Sequence, residues 1–201
     1  MPRESDPRVI RTRQMLRDAL VSLILERGYD AITISDITER AGLRRATFYL
    51  HYRDKEELLI SILRAMFDEL VCEIDEVGTP LVDCNQYAIN LAIFQHAQAN
   101  SRLYLSILGG YGSATITRYV REYLTKKFIE DLSQRGEEID FGMPVEVVAA
   151  FAATMKLNMV LWWLEAGMPY TPEEMAAMCT RLTLEGIPGA HTAGVAVSGA
   201  S

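Results

Sequence analysis

Apolar residues recur at three- and four-residue spacing along most of the chain, and the strict alternation of a half-buried strand is almost absent. Asp6-Pro7 pairs an N-capping carboxylate with a proline at the first helical position. Val9, Leu16, Leu20, Leu23 and Ile24 then follow at helical spacing until Gly28 closes the helix. Thr33, with Asp36 three residues on, marks the start of a short second helix that ends at Ala41-Gly42. A third short helix is predicted over residues 44–51. Asp54-Lys55-Glu56-Glu57 reads as a capping box opening a long helix with two apolar rows: Leu58, Ile62, Met66, Leu70, Ile74 beside Leu59, Leu63, Phe67, Val71. So broad a stripe predicts burial on more than one side.

Gly78-Thr79-Pro80 breaks that helix. Further helices are predicted over residues 81–100, 101–108 and 114–135, a loop over 137–143, and a long apolar helix over 144–166. Thr171-Pro172-Glu173-Glu174 caps a last helix to about Glu185. Residues 186–201 contain 4 Gly, 4 Ala and 2 Ser, a composition that predicts a disordered tail. The fold class expected is all-α. Three parts are expected: an N-terminal helical domain over residues 1–55, a larger helical domain over 56–185, and the tail over 186–201.

With 49% hydrophobic and 23% charged residues in 201, a packed core is available. No uninterrupted apolar run reaches the roughly 18 residues of a membrane span, since Lys156 and Asn158 interrupt the best candidate, residues 147–164. The first residues are polar and lack a secretory apolar stretch, so a cytoplasmic protein without a membrane partner is expected. Cys72, Cys84 and Cys179 are odd in number and far apart, and His51, His96 and His191 are scattered. Neither a disulfide framework nor a metal site is expected, and no cofactor is implied. The net charge of −7 is unevenly spread. Residues 1–55 carry 11 Lys and Arg against 8 Asp and Glu, while the remainder carries 9 against 19. A basic module on an acidic body points to one end meeting a polyanion.

The informative stretch is Thr33 to Tyr52, TISDITERAGLRRATFYLHY. Ile37, Ala41, Leu43 and Phe48 can form one apolar seam, with Ala41-Gly42 as a tight break between two short helices. This is the layout of a helix-turn-helix, whose second helix enters the major groove. Arg44, Arg45, Thr47, Tyr49 and His51 lie within eight residues on and around that helix. Arginine can donate two hydrogen bonds to guanine, and Thr, Tyr and His can reach a thymine methyl or phosphates. Lys55, in the first turn of the next helix, works against the helix dipole unless an anion docks beside it, which makes it a candidate phosphate clamp.

On these residues the chain resembles the TetR-type transcriptional regulators over positions 8–60. The matching segments are Glu26-Arg27-Gly28-Tyr29, Thr33-Ile34-Ser35-Asp36-Ile37, Ala41-Gly42-Leu43, Thr47-Phe48-Tyr49-Leu50-His51-Tyr52 and Asp54-Lys55-Glu56-Glu57-Leu58. The resemblance implies that Thr33 and Ser35 meet the DNA backbone. Arg44, Arg45 and Thr47 would face bases or nearby phosphates, and Tyr49, His51 and Lys55 would hold phosphates. One departure is Arg44, where the family often has a small hydroxyl residue able to cap the recognition helix.

The acidic remainder resembles the family's helical regulatory domain more loosely, through helix order, length and Trp162-Trp163. By that resemblance the last two long helices pair between chains in a homodimer. Ala149, Ala150, Ala152 and Ala153 keep one of them slim, and Met175, Met178 and Leu182 give the other an apolar face. A double-stranded inverted-repeat operator and a small-molecule effector are the implied partners. Phe67, His96, Tyr104, Tyr111, Tyr123, Asn158 and Trp162 are candidates to line the effector pocket. Two other readings compete: a protein-interaction role without an operator, and an enzyme. No P-loop, GxGxxG after a strand, GxSxG or HExxH is present, so no catalytic residues are assigned.

Overall fold

The computed structural model describes residues 6–76, 86–109, 114–134 and 141–190, and every element among them is a helix. Three helices form the N-terminal unit: α1 (Pro7–Arg27), α2 (Ile34–Arg40) and α3 (Arg45–Tyr49). The long α4 (Lys55–Glu76) leads into α5 (Gln86–Ala99), α6 (Ser101–Leu108), α7 (Ala114–Gln134), α8 (Val145–Glu165) and α9 (Pro172–Ala190). The predicted break at Gly78-Thr79-Pro80, most of the 137–143 loop, Cys84 and Tyr111 lie outside the described residues.

Local chemistry sets the helix ends. The Asp6 carboxylate accepts from the Arg8 N–H at 2.8 Å, with Pro7 beside it in the first turn. Thr33 and Asp36 form a reciprocal capping box: the Thr33 hydroxyl accepts from the Asp36 N–H at 3.3 Å, and the Asp36 carboxylate accepts from the Thr33 N–H at 2.7 Å. Between α2 and α3 the chain turns at Gly42, whose φ of +66° lies in the left-handed region that side chains resist. Thr171 and Glu174 repeat the reciprocal cap at the start of α9.

The α1–α3 unit closes over Leu16, Leu20, Ile24, Ile37 and Phe48, all essentially without exposure. Leu58 and Leu59 of α4 are equally buried, so the same apolar core continues from this unit into the body. The expected domain boundary at residue 55 therefore falls in the first turn of α4 rather than in a linker. In the body, α9 lies along α5 and α8 along α7. Trp163 is fully buried, edge-on to Phe94 at 5.3 Å, and its indole N–H donates to the Tyr170 carbonyl at 2.8 Å.

Two expectations need correction. Despite Lys156 and Asn158, α8 has a mean hydropathy of 1.5 and is long and apolar enough, by length and composition, to cross a membrane. Its residues Ala149, Ala153, Leu157, Val160, Trp163 and Leu164 are instead buried against neighbouring helices, as in a core helix. The second concerns the stretch from Gly186 expected to be disordered, whose first residues are described. The chain kinks there at φ 65° and remains helical to Ala190, and residues 191–201 lie outside the described part.

Polar staples on the surface of the N-terminal unit join α1 to α2. Arg40 donates to both Glu26 carboxylate oxygens at 2.6 and 2.7 Å and to the Ser22 hydroxyl at 2.6 Å, while Arg27 meets Asp36 at 2.8 Å. The hydrogen bond from Arg40 holds the Glu26 carboxyl near 2 against an ordinary 4.5. The Thr33 hydroxyl and N–H, then Arg27, hold Asp36 near 2 against 3.8. Both carboxylates are therefore stabilising above their unfolded values, and that contribution fades as pH falls from about 4.5 towards 2. The melting temperature is expected to drop across this interval. The double variant Glu26→Gln/Asp36→Asn should show a shallower acid limb, and an unchanged slope would contradict the staple's role.

Candidate nucleic-acid interface and effector cavity

α3 is five residues long, too short to hold its own shape, and Phe48 pins it by complete burial. Tyr49, the next residue, then points outward and is 49% exposed, with Arg44, Arg45 and Leu50 also exposed. The Arg45 guanidinium donates to the Tyr49 hydroxyl at 3.3 Å and sits 5.8 Å from its ring centre, so the two side chains, one turn apart, form a cationic unit. Arg44 occupies the N-cap position of α3 and makes no side-chain cap bond. The departure noted in the sequence thus leaves the helix start without a side-chain cap and puts a second guanidinium at the surface.

Ser35 is exposed near the start of α2. Thr33 is exposed too, but its hydroxyl is engaged in the capping box and donates to Asp36 at 2.6 Å. Thr47 and His51 are partly buried. Burial, then the nearby Arg13, pushes the His51 imidazole below its ordinary 6.5.

Lys55 departs from its expected part. Its ammonium turns inward and donates to the carbonyls of Tyr29 at 2.9 Å and Ile32 at 2.7 Å, lying 4.1 Å from the Tyr29 ring centre. Burial lowers its pKa and raises that of Tyr29 to about 12. The physical reason is that the α1–α2 loop leaves two carbonyls facing the first turn of α4, where only a long cation reaches both. Spacing along the sequence cannot reveal that approach.

In the body, a cavity of about 100 Å³ lies between α4, α7 and α8, with α5 and α6 closing it. Of the residues singled out from the sequence, Phe67 and Tyr104 line it. His96 does not: it is buried behind Tyr104, whose hydroxyl shares a 3.2 Å hydrogen bond with its Nδ1. Tyr123 faces a neighbouring polar cleft, where its hydroxyl donates to Asp68 and its ring packs on Phe67. Asn158 is exposed and bonded to the Thr154 carbonyl, and Trp162 is 49% exposed on the outer side of α8. Helix register decides this: Trp163, not Trp162, shares the inner face with Ala153 and Val160. The cavity also takes in residues not singled out from the sequence, above all Lys127 and Lys156. Lys156 was legible only as a charge interrupting an apolar helix.

A short recognition helix with an outward cationic face, carried on a long helical body, defines the class of helix-turn-helix regulators. Residues 16–62 match the model of the bacterial regulatory proteins of the tetR family, and residues 85–185 match that of a transcriptional regulator C-terminal region. The chain belongs to the TetR family. It is 28% identical over 182 residues to the uncharacterized HTH-type transcriptional regulator YxbF of Bacillus subtilis, covering 87% of this chain and 45% of that relative. It thus spans under half the length of that relative. It is 27% identical over 199 residues to the HTH-type transcriptional repressor KstR2 of Rhodococcus jostii, covering 89% and 92% respectively. Among solved structures, the transcriptional regulator FadR from Bacillus subtilis in complex with stearoyl-CoA superposes with a TM-score of 0.58 at 20% identity, over 87% of this chain and 98% of that one. That likeness is one of fold.

The Lys55 geometry has a direct test. Lys55→Met should remove two charge-assisted bonds and cost about 1–3 kcal/mol in denaturant unfolding. The salt slope of DNA binding should stay unchanged, whereas a phosphate contact would lower that slope by about one with stability intact.

Proposed function

We propose that this protein is a DNA-binding transcriptional repressor that grips an inverted-repeat operator as a homodimer and lets go when a small molecule occupies the cavity of the body. The carrying observation is the α3 face, where buried Phe48 fixes exposed Arg44, Arg45 and Tyr49. Arg45 reads a base edge and Tyr49 braces it while meeting a phosphate, with Arg44 and Ser35 adding backbone contacts. Thr47 and His51 contribute short-range hydrogen bonds at the edge of this face. Thr33 acts mainly by capping α2, and Lys55 by fixing the loop before it. The relative named as a repressor, matched over most of its length, supports the direction of regulation. Work on a DNA target fits a cytoplasmic protein, and the match to bacterial regulatory proteins supports a regulatory rather than a catalytic role.

One recognition helix touches too few base pairs for a unique site, so two copies are needed about 34–36 Å apart. The pairing surface follows from α8. Val147 and Phe151 are 54% and 65% exposed, and helical spacing puts them on one face of α8 with the exposed Trp162; Leu184 of α9 is exposed too. Large apolar side chains in such a row are what a subunit interface covers. Met175, expected on the pairing face of the last helix, is buried within the chain, while Met178 and Leu182 are partly buried, so the exposed row on α8 is the larger part of the pairing surface.

Two measurements test the reading. Selection from a random duplex pool should recover an inverted repeat, and Arg45→Ala should relax discrimination at one position per half-site by about 1–3 kcal/mol. Recovery of no duplex would favour a role through a partner protein. Phe151→Glu should shift the chain from dimer to monomer in sedimentation and abolish binding to the full repeat, and an intact dimer would move the interface elsewhere.

A further inference from the structure

The cavity wall is apolar, built from Phe67, Leu70, Ile74, Leu124, Leu157 and Val160, yet two ammonium groups enter it. They are not equivalent. Lys127 lies 3.6 Å from Asp68 and 3.8 Å from Glu130, so its charge is balanced. Among the described residues, Lys156 donates to neutral oxygens: the Asn90 side-chain carbonyl in a close hydrogen bond and that of Gln86 at 3.5 Å. Both amides are buried, and Asn90 is oriented by donating to the Thr180 hydroxyl at 2.9 Å. Among the described residues no carboxylate faces Lys156. Its one coulombic neighbour is the buried Cys179 thiol, and burial pulls its pKa below the ordinary 10.5. An embedded ammonium without a counter-ion is costly, and amide oxygens offset that cost only in part. An anion arriving in the cavity would complete the pairing.

We infer that the effector is an apolar monocarboxylate, its tail among Phe67, Leu70 and Leu157 and its carboxylate on the Lys156 ammonium. This deepens the reading of the cavity as the effector site and rests on it. Size supplies a second constraint. About 100 Å³ is less than the roughly 150 Å³ that accommodates benzene, so a tail beyond a few carbons either runs out through the open mouth of the cavity or parts α4 from α7. Those helices are tied by Asp68 to Tyr123 and Lys127, and by Arg64 to the Tyr119 hydroxyl at 3.3 Å. α4 runs directly into the recognition unit, so separating the pair gives the ligand a lever on the DNA-binding face.

Calorimetric titration of the full chain with hexanoate, decanoate and the primary alcohols of the same lengths tests the inference. Carboxylates should bind at least about tenfold more tightly than the matching alcohols. Lys156→Met should erase that ratio while keeping alcohol binding, and Lys156→Arg should preserve it. Equal affinity of acids and alcohols in the unmodified chain, a ratio that survives in Lys156→Met, or no binding of any probe would overturn it. Release of a selected duplex is read separately by fluorescence anisotropy. Carboxylate binding without release would leave the Lys156 site standing and retire the regulatory reading, whereas release by alcohols as readily as by acids would do the reverse.

Discussion

The burial of one aromatic ring governs the exposed face of α3. A five-residue helix has almost no stability of its own, because the ordering of its first turn is barely offset by the few hydrogen bonds it closes. Phe48, without exposure, seats α3 in the core it shares with α1, α2 and α4. The geometry of Arg44, Arg45 and Tyr49 follows from that seat, since neighbouring positions on a helix point about 100° apart. Around it, the α1–α2 staples and the inward Lys55 hold the supporting loop, so that the short helix is presented on a rigid frame.

The body works by a different balance. Its core is continuous with the recognition unit through α4, so a disturbance of α4 in the cavity has no slack linker in which to dissipate. The cavity itself is small and apolar, and its lining is held by polar ties at the rim rather than by further apolar packing. Ties of this kind can be exchanged for ligand contacts at modest net cost, because each opened hydrogen bond finds water. The closely packed α5–α9 pair, with Trp163 and Phe94 nearby, offers no such freedom and serves as the fixed side of the body.

Helix number, order and most boundaries were legible from periodicity and punctuation. Ser101–Leu108 falls where expected, and α1, α2, α7 and α8 begin and end within a residue or two of their capping signals. The recognition motif was legible for the same reason: the residues that build it lie within about twenty positions and interact locally. The cavity of the body was legible only in part. Phe67 and Tyr104 were reachable as large residues on apolar faces, but Trp162 and Asn158 were misplaced by one step of helix register, which turns a side chain from core to surface.

What the chain determines locally is therefore the set of helices, their caps and the clustering of Arg44, Arg45 and Tyr49 around one buried ring. These depend on spacing along the backbone and on the chemistry of near neighbours. What tertiary packing alone decided is the partner of each long cation. Lys55 turns onto the Tyr29 and Ile32 carbonyls, and Lys156 onto Asn90 and Gln86, because residues 23 to 70 positions away come within hydrogen-bond reach only when the helices assemble.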